Sequence, residues 1–441
     1  MKNSLRILES IKPFNKKLEI EGDKSLSIRW ALLASQASGK SKAYNLLKSE
    51  DVINTLISLK KLGIKVKLSK DYCEITGGGL NGFNYEKKKI LYAGNSGTFA
   101  RLIMGLLVHS KKSIVIKGDK SLSKRDFLRI TKPLKKFGAK FKTNSGKLPI
   151  IINGTNSPKP IKYYEKLGSA QCKSSIMLAA LNTEGKTTII AKKSRNHTEL
   201  LFRHLNLPIK IIKKKNYDLI TIKGKKKIKT LNYNIPSDIS SGAFFLVLTA
   251  LAKESKLVLK NININITRIG IIKILKMMGV KIKILNKKIY NGEEVADIMV
   301  KSTINLKSIN CPIELNSAAI DEFLLIFLVA AKANGVSYFK KLSELNKKES
   351  PRLVWGAKIL NKMGIRTIST NDSIKIYGNP KLKIDKKILI KDFQKDHRVF
   401  MTCVIAALTF GGEWKIFDKN SINTSFPKFL DKIKKLGARI Y

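Results

Sequence analysis

Along this chain, apolar residues at helical spacing repeatedly stop at a small residue and resume as an alternating run. The clearest instances read LKKLGIKV at 59–66, LKKFGAKF at 134–141, LKMMGVKI at 275–282, LNKMGIRT at 360–367 and IKKLGARI at 433–440. A sixth, FRHLNLPIKI at 202–211, carries Asn206 where the others have glycine. Each small residue sits where a helix C-cap needs a left-handed backbone, which glycine enters freely and asparagine tolerates. The turn positions 63, 138, 206, 279, 364 and 437 are spaced by 68 to 85 residues, so six units fill the 441 residues. Recurrence at that period marks an internally repeated architecture.

Within a unit, Val52, Leu56, Leu59 and Leu62 follow helical spacing behind the N-cap candidate Ser49, and Ile64–Leu68 alternates like a strand with one wet face. More uniformly apolar helices are predicted at Phe99–Val108, Ser174–Leu181 and Phe323–Ala331. The segment Asn234–Ala243 carries turn residues ahead of another apolar helix and makes the natural domain boundary, three units on each side. The class is α/β (α+β).

Composition changes the picture in one respect. Hydrophobic content of 43% is ordinary, but 86 basic against 32 acidic residues give a net charge of +54. A nucleic-acid or membrane-surface binder would gather that charge into a footprint. Here the lysines are spread over the whole length among many Ile and Asn, aromatics are only 7%, and no nucleic-acid-binding motif stands out. Drift toward codons of an AT-rich genome accounts for the charge better. Cys73, Cys172, Cys311 and Cys403 lie far apart with no C-x-x-C, so reduced thiols are expected rather than disulfides or zinc. The N-terminal MKNSLRILESIKP has no apolar signal region, and the longest apolar stretches fall short of a membrane span. A soluble cytoplasmic protein is expected, without nucleic-acid or membrane partners.

Candidate chemistry starts with a near-duplication: Gly22-Asp23-Lys24-Ser25-Leu26-Ser27-Ile28-Arg29 and Gly118-Asp119-Lys120-Ser121-Leu122-Ser123-Lys124-Arg125. Each copy follows a short apolar run and leads into a helical pattern, which puts cations, hydroxyls and helix N–H groups where a multiply charged anion binds. The copies are 96 residues apart, not a multiple of the repeat, so they are not equivalent positions in two units. Gly94-Asn95-Ser96-Gly97-Thr98 ahead of Arg101 reads as an anion loop or a helix cap; Gly168-Ser169-Ala170-Gln171 reads as an N-cap. Further clusters are Ser194–Glu199, Asp321-Glu322, Lys347–Arg352 and Asp396-His397-Arg398. Acids and cations together at helix starts suit a site where cations hold substrates and carboxylates move protons. No Gly-x-Gly-x-x-Gly or Walker A loop is present, so no nucleotide cofactor is indicated.

These motifs, with Asp238–Phe245, Thr267-Arg268, Gly292–Ile298 and Thr424–Pro427, occur in an order and spacing that resembles the EPSP synthase family, the 3-phosphoshikimate 1-carboxyvinyltransferases. The match runs from about residue 10 to the C-terminus. The resemblance implies six βαβαββ-type units, three per domain, forming two inside-out α/β barrels that close on a cleft. Their extents are expected as 21–236, the shikimate phosphate side, and 1–20 plus 237–441, the carboxylate side. It implies transfer of the enolpyruvyl group of phosphoenolpyruvate to the 5-hydroxyl of 3-phosphoshikimate, through a tetrahedral intermediate, with loss of phosphate and with no metal or cofactor. A monomer with small-molecule partners is expected. Carried over residue by residue, Lys24 touches both substrates. Ser25, Arg29, Ser169, Ala170, Gln171, Arg195, Asp321 and Lys348 hold 3-phosphoshikimate. Gly97, Arg125, Gln171, Arg352 and Arg398 hold phosphoenolpyruvate. Asp321 is the base for the 5-hydroxyl, and Glu349 protonates the methylene and takes the proton back.

Departures from the family pattern are Asp126 after Arg125 where proline is usual, Asn196 and Pro351 where aspartate is usual, and Leu102 where many members have proline. Gly97 predicts sensitivity to glyphosate, while Leu102 and Ser169-Ala170-Gln171 resemble the tolerant class. A sister enolpyruvyltransferase acting on UDP-N-acetylglucosamine uses a cysteine in the loop corresponding roughly to 118–125; none lies there.

Overall fold

The computed structural model describes residues 3–441, so the first two residues of the expected second domain lie outside it. The chain divides into two compact units, one of Met1–Glu21, Ser237–Lys288 and Glu294–Tyr441, the other of Gly22–Pro236 with Ile289–Glu293. The turn Ile289–Glu293 thus goes with Gly22–Pro236, although strands of the other unit flank it in sequence. Each unit has its own hydrophobic core.

One repeat shows the logic of all six. Strand Lys89–Tyr92 pairs parallel with Ile114–Lys117, which pairs antiparallel with Lys147–Asn153, which pairs in turn with Lys140–Asn144. Helix Gly97–Leu106 makes the crossover between the parallel strands, and Leu128–Lys135 leads into the hairpin. The same pairing recurs in Lys162–Glu165, Lys186–Lys192, Tyr217–Lys223 and Ile209–Lys213. Two units borrow their parallel partner strand from elsewhere in the chain. Tyr233–Asn234 supplies the parallel partner of Ser38–Tyr44, and Asn15–Glu19 that of Lys256–Asn263. Six sheets result, of three or four strands each.

The two helices of each unit have different burial. The crossover helices Lys24–Ser35, Gly97–Leu106, Ala170–Leu181, Ile239–Leu251, Phe323–Lys332 and His397–Phe410 are buried nearly all round; in Ile239–Leu251 every residue is buried. A helix apolar on all faces belongs inside. The second helices, such as Glu50–Lys61 and Arg352–Lys362, bury one stripe and keep their lysines exposed. Helices inside and sheets outside is the reverse of an ordinary barrel.

All six turn positions have a left-handed backbone: φ is +84° at Gly63, +108° at Gly138, +51° at Asn206, and +88°, +88° and +101° at Gly279, Gly364 and Gly437. Two expectations change. Ser49 occupies the N-cap of Glu50–Lys61 but its side chain makes no capping bond. The strand expected after Gly437 does not form as such: residues 438–441 lie outside the regular strands. Tyr441 exchanges hydrogen bonds of 2.7 and 2.9 Å with Arg6, and strand Ser4–Ile7 completes the sixth sheet against Gly411–Phe417.

Gly364 tests the turn argument, because a Cβ there meets nothing within 4 Å and only the φ of +88° opposes it. Gly364→Ala is expected to cost about 1 kcal/mol and lower the denaturant midpoint; an unchanged midpoint would discard the conformational explanation.

Candidate active site

In the three crossover helices of the Gly22–Pro236 unit, the partly exposed residues sit in the N-terminal turns. Lys24 and Ser25 open Lys24–Ser35, Thr98 and Arg101 lie in the first turns of Gly97–Leu106, and Ala170 and Gln171 open Ala170–Leu181. Asp23 caps the first helix by accepting from Leu26 N at 2.8 Å. Ser96 and Ser169 cap the other two, accepting from Phe99 N and Cys172 N at 3.2 Å each, so the cap reading of those turns is right as far as it goes.

Side-chain bonds then tie the three helix starts together. Arg29, only 5% exposed, donates from Nε to Thr198 Oγ1 at 2.9 Å and approaches Ser174 Oγ at 3.4 Å. Gln171 accepts from Arg101 Nη1 at 2.7 Å and donates to Thr98 Oγ1 at 3.1 Å. Arg125 Nη2 donates to Asn95 Oδ1 at 2.6 Å, and Asn95 donates to Asp119 Oδ2 at 2.7 Å. Lys24 Nζ lies 2.9 Å from Asp51 Oδ2. Glu50 beside it has its carboxyl pushed up, first by burial and then by the Asp51 and Asp119 carboxylates. Gly97 leaves room for two guanidiniums: a Cβ there would stand 2.9 Å from Arg101 Nη1 and 3.3 Å from Arg125 Nη1, and those side-chain ends would have to move. Arg29 and Gln171 therefore link the starts of the three helices, on which Lys24, Ser25, Gly97, Ser169 and Ala170 also lie, and Arg125 stands beside Gly97. Arg195 lies in the loop leading to Thr198, the partner of Arg29.

The duplicated octapeptides begin alike and then part. Asp119 accepts from Leu122 N at 2.7 Å as Asp23 does from Leu26 N. Each arginine also turns back on its own serine, Arg29 to the Ser25 carbonyl at 3.1 Å and Arg125 to Ser121 Oγ at 3.5 Å. The expected helix after the second copy begins later than in the first: Leu128–Lys135 starts three residues past Arg125. The octapeptide itself forms only the 3-10 turn Leu122–Lys124, and the Asp126 carboxylate accepts from Leu128 N at 2.7 Å at the start of the following helix. Lys120 stays exposed.

In the other unit the charges centre on Arg352, which opens helix Arg352–Lys362 and is 2% exposed. Its Nε donates to Asp396 Oδ2 at 2.9 Å, its Nη2 to Glu349 Oε2 at 2.5 Å, and its Nη1 approaches Asp321 Oδ1 at 3.4 Å. Lys348 Nζ reaches the same Asp321 oxygen at 3.0 Å. Asp396 also accepts from Ser350 Oγ and Arg398 N, at 2.9 Å each. Burial alone would raise the Asp396 carboxyl, but the Arg352 guanidinium outweighs it and holds it below the ordinary value. Burial likewise works against the Arg352 charge, and the Asp396, Glu349 and Asp321 carboxylates keep it raised. Glu322 does more than complement a helix dipole: it accepts from Ser240 Oγ at 2.5 Å and faces Arg398 Nη1 at 3.6 Å. Arg268 joins the same group, donating to Ser240 Oγ at 2.7 Å and Asp238 Oδ1 at 3.0 Å.

A family model described as EPSP synthase (3-phosphoshikimate 1-carboxyvinyltransferase) matches residues 8–433. The chain belongs to the EPSP synthase family. A 3-phosphoshikimate 1-carboxyvinyltransferase of Ruthia magnifica is 38% identical over 96% of this chain and 95% of its own length. One of Petrotoga mobilis is 36% identical over 96% and 97%. The solved EPSP synthase of Acinetobacter baumannii superimposes with a TM-score of 0.88 at 36% identity, covering 100% of this chain and 99% of that one. An enolpyruvyl transferase of Streptomyces tendae, at 13% identity and a TM-score of 0.79, shares the fold.

For this EPSP synthase family chain, reading the sequence missed the partners of the charged groups. Asp51 and Ser174 carried no signal beyond helix starts, and Asn95 and Thr198 none beyond the motifs they sit in; Glu50-Asp51 reads as an acidic first turn. The cysteines are buried and unpaired, and burial pushes the Cys172 thiol, next to Gln171, up to about 12, which makes it a poor nucleophile. Among the described residues no helix is long and apolar enough to cross a membrane.

Asp396→Asn is expected to destabilise the fold by about 3 kcal/mol at neutral pH, since it leaves Arg352 underpaired in a buried site. The native carboxyl lies below its ordinary value of 3.8, so its contribution is complete above that pH and lost as pH falls through the native value. Denaturant midpoints of variant and parent should therefore converge only in strong acid; a gap independent of pH would refute the ionic account.

Proposed function

We propose that this chain transfers the enolpyruvyl group of phosphoenolpyruvate to the 5-hydroxyl of 3-phosphoshikimate and releases phosphate. The full-length match to chains of that name carries the reading; the charged clusters supply its chemistry. Both substrates combine a phosphate with a carboxylate, and cations at helix N-termini are the groups that bind them. In this reading Lys24, Ser25, Arg29, Ser169, Ala170, Gln171, Arg195, Asp321 and Lys348 take 3-phosphoshikimate. Lys24, Gly97, Arg125, Gln171, Arg352 and Arg398 take phosphoenolpyruvate.

The reaction needs two proton movements. The 5-hydroxyl oxygen bonds to C2 of phosphoenolpyruvate as a proton is added to its methylene, giving a tetrahedral intermediate. Loss of phosphate with removal of a methyl proton restores the double bond. Asp321, paired with Lys348 and Arg352, suits the base that takes the hydroxyl proton. Glu349 suits the group that gives a proton to the methylene and recovers it. Three carboxylates, Asp321, Glu349 and Asp396, meet two cations, Lys348 and Arg352. Of these carboxylates Glu349, with 17% of its side chain exposed, is accessible for proton exchange, whereas Asp396 is enclosed. The same reading has the chain act as a cytoplasmic monomer.

Phosphate release from phosphoenolpyruvate that requires 3-phosphoshikimate tests the substrates; release indifferent to it would sink the assignment. Asp321→Ala and Glu349→Ala should each lower kcat by about 100-fold or more, and full activity in either removes that residue from proton transfer. With +54 charges on the chain, steering of the anionic substrates should weaken as salt rises from about 0.01 to about 0.1 M and the Debye length shrinks from about 30 to about 10 Å. A kcat/KM that stays flat across that range would leave the net charge without a part in capture.

A further inference from the structure

The helix His197–His204 has no side-chain cap of its own: Asn196 holds the N-cap position and makes no capping bond. Its start is fixed instead by three consecutive buried residues, each gripping a different element. Thr198 Oγ1 accepts from Arg29 Nε at 2.9 Å and shares a hydrogen bond with Ser174 Oγ at 2.7 Å. Glu199 Oε1 pairs with Lys173 Nζ at 2.5 Å, both side chains at most 3% exposed. His197 Nδ1 meets Glu293 Oε1 at 2.6 Å, and neither side chain has any exposure.

Lys173, Ser174 and Arg29 belong to crossover helices that are rigid for other reasons. Glu293 is different, since it lies 96 residues from His197, on the turn Ile289–Glu293 that packs with this unit. The turn has its own anchors. Asn234 Nδ2 donates to the Tyr290 hydroxyl, and Gly292 has a φ of +83° with Leu200 O and His204 Cβ each 3.4 Å from its Cβ position. A buried carboxylate and imidazole 2.6 Å apart constrain each other's geometry. His197 is two residues from Arg195 and adjacent to Thr198, which orients Arg29. Whatever fixes His197 therefore fixes two of the arginines that take 3-phosphoshikimate.

We propose that Glu293 is a positioning residue which, through His197, sets Arg195 and the Thr198–Arg29 bond for the 3-phosphoshikimate anion. This rests on the functional reading above. Glu293 touches no substrate in it, and phosphoenolpyruvate depends on other groups. Its removal should weaken one substrate and spare the other, which a general loss of stability would not do.

Calorimetric binding of 3-phosphoshikimate to the unmodified full chain comes first, and its absence would sink the functional reading itself. Given binding, Glu293→Ala should raise the Kd and KM for 3-phosphoshikimate by tenfold or more and leave the KM for phosphoenolpyruvate within twofold. Glu293→Gln keeps an acceptor for Nδ1–H and should recover most of the loss. An unchanged Kd in Glu293→Ala, or equal rises in both KM values, overturns the role of Glu293 alone. Should the alanine variant not fold, Glu293→Asp, which withdraws the carboxylate by one methylene, is read by the same criteria.

Discussion

Burial of the crossover helices on nearly every side is the constraint from which the site follows. A helix such as Ile239–Leu251, with all thirteen residues buried, can show polar groups only at its ends. The N-terminal ends carry unpaired N–H groups and the positive pole of the dipole. Lys24, Arg101, Gln171, Arg352 and Arg398 all fall within the first turns of helices. The repeated unit thus places cations at helix N-termini as a by-product of packing.

Concentrating cations in this way has an electrostatic cost that each unit meets with its own carboxylates. Arg352 is ringed by Asp396, Glu349 and Asp321; Lys24 is held by Asp51; Arg398 faces Glu322. Such pairs contribute little net stability when the price of desolvation is counted, yet removing one partner is expensive. Their value lies in geometry, because a guanidinium held from behind presents its remaining donors in a fixed direction.

Local sequence and local structure are separable here. The two Gly-Asp-Lys-Ser-Leu-Ser octapeptides share an aspartate cap and a back-turned arginine, yet one becomes a twelve-residue helix and the other a single 3-10 turn. The difference arises just past the shared letters. Trp30-Ala31-Leu32 can be buried on every side and continue the helix, whereas Asp126 bonds the backbone N–H of Leu128, where a separate helix begins. The sixth unit teaches the same lesson, since its final strand is completed by Ser4–Ile7 from the opposite terminus.

The sequence by itself determined the six-unit period, the left-handed turns at 63, 138, 206, 279, 364 and 437, the apolar crossover helices and the family. Those features rest on short-range physics: a residue's tolerance of positive φ and the spacing of apolar side chains are written in contiguous letters. The tertiary structure decided which charges meet. Arg29 and Thr198 lie 169 residues apart, Arg352 and Asp396 44, and His197 and Glu293 96. No local pattern encodes such pairs, because a buried charge is specified by what the fold brings against it, and an aspartate at a helix start looks the same whether it caps a helix or holds a lysine.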